Sequence, residues 1–403
     1  NLADVCLQIA YEKADRDLQK KHGIPSYKDT DGNLQISEFA VIGMGKLGGQ
    51  ELNYSSDIDL IYIYTSSHGE TRPEPFKENE VITITNHEYF SKLARQTTKY
   101  INEITDEGNV FRVDLDLRPD GPSGEIASSL ASCETYYQSW GKTWERQAMI
   151  KARVSAGSEA LGRQFFSMME PFIYRRSLDF EAIEKIKSMK NRINKSLKDK
   201  NLGKINIKLG FGGIREVEFI IQAYQLLFGG RNKELRIRGS LRALEALKEK
   251  NIINEEDFLR LSEAYIFLRH LENRVQITFG MQTHQIPDSN VDRAVLARKM
   301  RIKGKTVEEL SKNLMSVYES HTSFVGKMFS EQFTEEEKRE AAAAISNEWK
   351  WSREGEKLFS EETLASIPLI LDPKQAFRFL KVFRDGSAFS YPSEKSIQEF
   401  IFA

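Results

Sequence analysis

The sequence predicts an α+β chain on three observations. Short apolar runs broken by glycine fall at 39–42, 58–64 and 109–118. Helical periodicity takes over from about residue 172 and persists to Ala403. A chain of 403 residues, 40% hydrophobic and 29% charged, buries a large core and divides into two or three units. The expected organisation is a mixed-sheet domain with an N-terminal helix over 1–172, a helical bundle domain over 173–330, and a C-terminal helical extension over 331–403.

Composition narrows the function before any motif does. Lys plus Arg is 58 against 59 for Asp plus Glu, a formal charge of -1. There is thus no global attraction to nucleic acid or to an anionic membrane, and any polyanion must be met by a local basic patch. Cys6 and Cys133 form no metal or disulfide spacing, which fits a reducing cytoplasm. No run of about 20 apolar residues reads as a membrane span, and no signal peptide is evident. The chain opens within a helical pattern (Leu2, Val5, Cys6, Ile9) and reads as part of a longer protein.

Taken in order, residues 1–22 read as an amphipathic helix, followed by a polar loop through the turn residues Asp29 to Asn33. A strand at 39–42 then leads into GMGKLGGQELNYSSDIDLIYIY, residues 43–64. Gly43, Gly45, Gly48 and Gly49 let backbone amides approach an anion closely. Asp57 and Asp59 are two apart, so on a strand they share one face, while Ile58, Leu60 and Tyr62 take the other. Two adjacent carboxylates repel unless one is protonated or a cation lies between them, and Mg2+ with oxygen ligands is the usual one. The stretch is therefore read as a phosphate cradle (Gly45, Lys46, Gly48, Gly49, Ser56) beside a metal pair. The plainer alternative is a solvated turn at Ser55, Ser56 and Asp57, with glycines that merely bend the chain. Neither GxxxxGK[ST] nor GxGxxG is matched.

Residues 66–80 read as an exposed loop. A helix at 86–104 carries Tyr89, Phe90, Leu93, Thr97, Tyr100 and Ile101 on a core face. NVFRVDLDLR, 109–118, reads as a second strand with Val113, Leu115 and Leu117 on one side and Asp114 and Asp116 on the other. Either aspartate would complete a metal triad with Asp57 and Asp59. RPDGPSG then turns the chain, placing Arg118 near any bound phosphate. Residues 133–157 read as two short helices broken near Gly141, the second carrying Trp144, Ala148 and Lys151 on one face and Arg146 and Arg153 on another. Lys151 and Arg153 would neutralise phosphate or face solvent.

GMGKLGGQELNYSSDIDL, VDLDLRPDGPSG, WERQAMIKAR and KLGFGGIREVEFIIQ together resemble the glutamine synthetase adenylyltransferase family, within the DNA polymerase beta-like nucleotidyltransferase superfamily. The resemblance runs from about residue 36 to residue 285. It implies a nucleotidyltransferase-fold sheet domain whose DxD is Asp57 and Asp59 and whose third aspartate is Asp114. Asp116 stands where the family pattern most often has arginine. Family members carry two such halves, one attaching AMP from ATP to a tyrosine of glutamine synthetase, the other removing it by phosphorolysis with release of ADP. GGIREVEF at 212–219, with Gly229, Gly230 and Arg231 after it, resembles the removing half. The resemblance implies Mg2+ (or Mn2+) as metal, phosphate and ADP or ATP as nucleotide-side substrates, and regulation by the PII signalling protein and glutamine. Arg215, Glu216 and Glu218 match its REVEF motif.

From the residues alone, Ile214, Val217, Ile220, Ile221 and Tyr224 should pack inward. Arg215, Glu218 and Gln222 share another face, where Arg215 either pairs with Glu218 or meets phosphate at a helix start. Arg215, Lys208 and Lys151 are the candidates for holding phosphate or nucleotide. The stretch 179–200 is basic and amphipathic, 335–344 is acidic and alanine-rich, and His270 and His284 lack ligand spacing. The readings carried forward are the AMP-removing half, the adenylylating half, a nucleotidyltransferase for RNA or a small molecule, and a catalytically silent partner-binding domain.

Overall fold

In the computed structural model the described residues are 2–73, 81–106, 108–175, 205–279 and 283–331. The basic stretch 179–200, the run 335–344 and the extension beyond 331 lie outside them, as does all of 74–80. By contact, residues 1–175 with 179–330 form one compact unit and 176–178 with 331–403 a second. The description that follows concerns the first.

Helix α1 (Leu2–His22) turns Ala3, Leu7, Ala10 and Ala14 inward at helical spacing. The polar loop expected after it contains two strands instead. β1 (Ile24–Lys28) and β2 (Leu34–Ile36) pair antiparallel, and β5 (Glu70–Arg72) joins the other edge of β1. Asp29 makes the hairpin, its Oδ1 accepting from Asp31 N and Asn33 N at 3.0 and 2.8 Å. These strands are short and polar, so no apolar run announces them.

The main sheet is mixed. β3 (Phe39–Gly43) and β4 (Ile58–Tyr64) pair antiparallel, with Gly43 opposite Leu60. Both consist almost entirely of buried residues, as continuous apolar runs in a covered sheet should. β8 (Arg153–Gly157) lies antiparallel on the far side of β3. The other edge of β4 is shared by two short parallel strands: β6 (Val113–Asp114) at its start and β7 (Ala127–Ser129) at its end. Between β3 and β4 runs the connection 44–57, with a single turn of helix, α2 (Gly45–Gly48). α3 (Asn86–Asn102), capped by Thr85 Oγ1 on Glu88 N, packs Tyr89, Phe90, Leu93 and Ala94 into the core shared with α1 and the sheet.

Two expectations are corrected here. The second strand is confined to Val113–Asp114, because Asp114 Oδ1 accepts from Asp116 N at 2.8 Å and turns the chain. Asp116 therefore lies beyond the strand, in a turn, and does not share a strand face with Asp114. The two helices near Gly141 exist as α4 (Leu130–Ser139) and α5 (Thr143–Met149), but the second stops at Met149 and Arg153 opens β8. Lys151 is thus in the turn between helix and strand. α6 (Glu159–Ile173) follows, started by Ser158 Oγ on Leu161 N.

The remaining described elements are helical: α7 (Ile214–Phe228), α8 (Ser240–Glu249), α9 (Glu255–Phe279), α10 (Asn290–Lys299) and α11 (Val307–Glu331). α7 is buried nearly all round, by Ile214, Val217, Ile220, Ile221 and Leu226 and also by Glu216 and Gln222. α9 buries the stripe Leu261, Ala264, Tyr265, Leu268, Leu271, Glu272 and Val275. Among the described residues no helix is long and apolar enough to cross a membrane.

Candidate active site

Asp59 and Asp114 are register partners across β4 and β6. Adjacent parallel strands stand roughly 5 Å apart, so partner side chains of the same face are neighbours. Asp57 precedes β4 on the same chain, and its Oδ1 accepts from Arg112 Nε at 2.5 Å, while Arg112 Nη2 donates to Ser55 O at 3.2 Å. The Asp59 carboxyl is perturbed. Burial, then the charge of Asp114 and, more weakly, Asp57, push its carboxyl up to about 6 against the pull of Lys208 and Lys46.

The glycine turn is built against Asp59. Gly45 has φ +52, and a Cβ there would lie 2.5 Å from Asp59 Oδ2, so only glycine suits both the backbone and the contact. Met44 N donates to the carbonyl of Asp59 at 2.8 Å, fixing the turn to the strand. Gly48 serves packing instead, since a Cβ would strike Lys151 O at 2.1 Å. Next to Gly49, Glu51 begins a second set of contacts.

Lys46 leaves this turn toward α9, where Oε1 and Oε2 of Glu272 are each 3.1 Å from its Nζ. Burial lowers Lys46 to about 8, the nearby Arg269 and Lys208 adding to the effect and Glu272 opposing it. Glu272 is fully buried and also takes Asn53 Nδ2 and Arg269 Nη1, with His284 Nδ1 2.9 Å from Oε1. Burial alone would raise its carboxyl; His284, Lys46, Arg269 and Asn53 together hold it well below the usual carboxylate range.

Lys151 sits in a separate buried clasp. Its ammonium donates to Glu51 Oε2 and Glu218 Oε1, both at 2.7 Å, and to Ser240 Oγ at 3.1 Å. Glu51 also accepts from Ser240 N at 2.6 Å, and its carbonyl takes Arg269 Nη2. Tyr265 Oη reaches Glu218 at 3.4 Å. The clasp joins the connection after α2 and the turn before β8 to α7, α8 and α9.

Of the residues singled out from the sequence, Asp57, Asp59, Asp114, Gly45 and Lys46 lie at one end of the sheet. The charge of Asp59 is felt by Arg215 at the start of α7, and that of Lys208 by Asp59. Arg215 also lies 6.0 Å over the Phe219 ring. Lys151 and Glu218 face each other in the clasp. Arg118 is turned on its own loop, donating to the carbonyls of Leu115, Pro122 and Gly124 at 2.8, 3.0 and 3.3 Å. Ser56 Oγ accepts from Asn53 N at 3.0 Å. Glu272, Asn53, Glu51, Arg269 and His284 were not singled out for the site. Glu272 carried a readable signal, a carboxylate four residues after Leu268 on the apolar stripe of a helix.

Asp59 and Asp114, one buried against the other, offer oxygen donors of the kind a hard divalent cation prefers. The crowding that raises Asp59 is strain that such a cation would relieve, so Asp59 and Asp114 fit one. Among the described residues no three His, Cys, Asp or Glu side chains converge as a ready-made metal group, and Asp57 is directed to Arg112.

A glycine turn is thus tied to a carboxylate on the central strand of a mixed sheet, with a second carboxylate on the parallel strand beside it. Residues 1–168 match the model described as glutamate-ammonia ligase adenylyltransferase. Residues 181–333 match the model described as GlnD PII-uridylyltransferase. Similar proteins named bifunctional glutamine synthetase adenylyltransferase/adenylyl-removing enzyme occur in several bacteria. That of Nitrosococcus oceani is 47% identical over 299 residues, 74% of this chain and 30% of the relative. That of Stenotrophomonas maltophilia is 37% identical over 386 residues, 96% and 39% respectively. That of Pseudomonas aeruginosa is 43% identical over 296 residues, 73% and 29%. The chain therefore spans between 29% and 39% of the length of these relatives.

Proposed function

We propose that this chain is a nucleotidyl-transfer unit acting on the adenylyl group of glutamine synthetase, and that it is the half that removes AMP. The observation that carries the first part is the pairing of Asp59 with Asp114 beside Gly45, with Lys46, Lys208 and Arg215 near them. The removing direction is supported by GGIREVEF at 212–219 followed by Gly229, Gly230 and Arg231, which resembles that half of the family.

Asp57, Asp59 and Asp114 would hold Mg2+ or Mn2+, which when bound supplies charge neutralisation at the phosphate oxygens. Asp114 rather than Asp116 is the third carboxylate, because it is the strand partner of Asp59. Lys46, Lys208 and Arg215 place positive charge where phosphate groups approach the aspartates. An oxygen of inorganic phosphate attacks the α-phosphorus of the adenylyl-tyrosine; the bond from phosphorus to the tyrosine oxygen breaks; ADP forms. The proton of hydrogenphosphate passes to the departing phenolate. In such chemistry positioning and charge account for most of the catalysis. Lys151, Glu51 and Glu218 would keep the helices in register with the sheet that carries the aspartates. The partners are then glutamine synthetase as substrate and PII protein as regulator, in the cytoplasm.

The test supplies adenylylated glutamine synthetase, Mg2+, phosphate and uridylylated PII protein, and measures ADP. The expected result is ADP formation that is lost in Asp57→Asn/Asp59→Asn. AMP transfer from ATP to unmodified glutamine synthetase, with no ADP from the adenylylated form, would reverse the direction. Neither activity, alongside an active full-length relative, would remove the proposal.

A further inference from the structure

Glu272 belongs to the helical part of the chain, yet two of its partners come from the connection 44–57. Lys46 lies near the start of that connection and Asn53 near its end. Gly45, against which Asp59 Oδ2 packs, lies beside Lys46. Ser56 Oγ, holding Asn53 N, lies beside Asp57. One buried carboxylate thus fixes the glycine turn and the approach to Asp57 together. Its remaining partners, Arg269 and His284, come from α9 itself and from the segment beyond it, and Arg269 also holds the carbonyl of Glu51.

A stabilising role alone explains this poorly. Replacing buried charges with apolar side chains of similar volume is often neutral or better for stability, so the pairing has value chiefly in where it puts the charges. Glu272 holds two cations, Lys46 and Arg269, at the edge of the aspartate site. Such cations are what an incoming phosphate group needs.

The geometry points to Glu272 as a positioning residue for phosphate groups at the aspartate site: by anchoring Lys46 and Asn53 it sets the connection that carries Gly45 and the Lys46 ammonium up to Asp59. This rests on the nucleotidyl-transfer proposal for its ligand, though not for its structural part.

The experiment compares wild type, Glu272→Gln and Asn53→Ala in three measurements. The first is binding of ADP with Mg2+ by calorimetry. The second is the rate at which Lys46 is acetylated by N-hydroxysuccinimide acetate, read on the Lys46 peptide by mass spectrometry. The third is Tm. Glu272→Gln should lose about tenfold in ADP affinity, the usual cost of removing a group that orients a site from behind. Its Lys46, released from the carboxylate, should be acetylated severalfold faster than in wild type. Asn53→Ala leaves the buried charges in place and should lose ADP affinity with little change in Tm. Wild-type ADP affinity together with wild-type Lys46 reactivity in a folded Glu272→Gln overturns the inference. If that variant does not fold, wild-type ADP affinity in Asn53→Ala does so. Should wild type itself bind no ADP, the nucleotidyl-transfer proposal fails, and the Lys46 rates still decide whether Glu272 holds Lys46.

Discussion

Asp59 and Asp114 face each other as partners in a parallel ladder only two residues long. β6 has no other residues in strand conformation, because Asp114 ends it by accepting from Asp116 N. The same carboxylate therefore stops the strand and stands beside Asp59. Such pairing, with burial, is unfavourable for two anions, so the arrangement costs stability that a bound cation would restore.

Asn at either position should separate function from stability. Asp59→Asn and Asp114→Asn are expected to lower nucleotidyl transfer on the order of 1000-fold, the loss of several kcal/mol of charge stabilisation. Calorimetric Mg2+ binding should weaken in both. In chelator, the Tm of Asp59→Asn should equal or exceed that of wild type, since a repelling charge is gone. A variant within tenfold of wild-type turnover would remove that aspartate from the site.

Gly45→Ala tests the other side of Asp59. The backbone at φ +52 costs an L-residue about 1 kcal/mol, and the new Cβ displaces the Asp59 carboxylate. The expected outcome is a modest fall in Tm with a disproportionate fall in Mg2+ affinity. Gly32→Ala is the control for backbone strain alone, since its φ is +81 and nothing lies within 4 Å of the added Cβ. Equal Mg2+ affinity in both variants would mean that Gly45 serves only the turn.

What the sequence disclosed follows from where the signal is local. β3 and β4 are continuous apolar runs, and Asp57 and Asp59 are marked by spacing, so the mixed α+β fold and the aspartates at the sheet's end were legible. β1, β2 and β7 are short and partly polar, so period and hydrophobicity could not mark them. β8 was read as helix because WERQAMIKAR continues a helical pattern past Met149, and only the pairing of Arg153–Gly157 with β3 overrides it. Glu272 and Lys46 are far apart in the chain, as are Lys151 and Glu218. Nothing local says that these charges meet. A carboxylate on an apolar helix stripe was the one available hint, and it named no partner.

Lys151 offers a stability test with a sharp sign. Lys151→Met leaves the carboxylates of Glu51 and Glu218 facing each other without a cation. Breaking a buried pair this way costs about 3–5 kcal/mol. The double variant Lys151→Met/Glu218→Gln should be more stable than the sum of the single changes implies, because the second change removes one stranded charge. Urea unfolding of the four proteins gives the coupling energy. Strict additivity would mean that the 2.7 Å contact contributes nothing to stability.

The same clasp sets an acid limit. Burial pushes the Glu218 carboxyl up, but Lys151, its hydrogen bond and the nearby Arg269 and Lys46 outweigh this and hold it below the ordinary 4.5. Glu272 is held down in the same sense. The unfolded chain then binds more protons than the folded one just below pH 4.5, so the stabilisation is complete above that value and is lost as pH falls. For Lys151, burial lowers the ammonium, while Glu218, Tyr265 and Glu51 carry it above its ordinary 10.5. Its contribution is therefore complete below pH 10.5 and is lost only at higher pH. Tm measured from pH 7 to pH 3 should fall more steeply for wild type than for Glu218→Gln. Parallel curves would refute the assignment.

Arg112 competes for Asp57. The contact is 2.5 Å, but the two side chains are 48% and 35% exposed, which limits its worth to about 1 kcal/mol or less. If a cation at the aspartates draws Asp57 away from this guanidinium, the pair subtracts its own energy from metal binding. Arg112→Gln should leave Tm nearly unchanged and tighten Mg2+ binding to metal-free protein by about 2- to 5-fold, the affinity equivalent of that energy. Calorimetry at low and at high salt adds a second check, because screening weakens an exposed pair and should shrink the difference between variant and wild type. If Arg112 instead holds the phosphate of the substrate, Mg2+ affinity will not change and ADP affinity will fall. Unchanged or weaker Mg2+ binding in Arg112→Gln therefore rejects competition at Asp57.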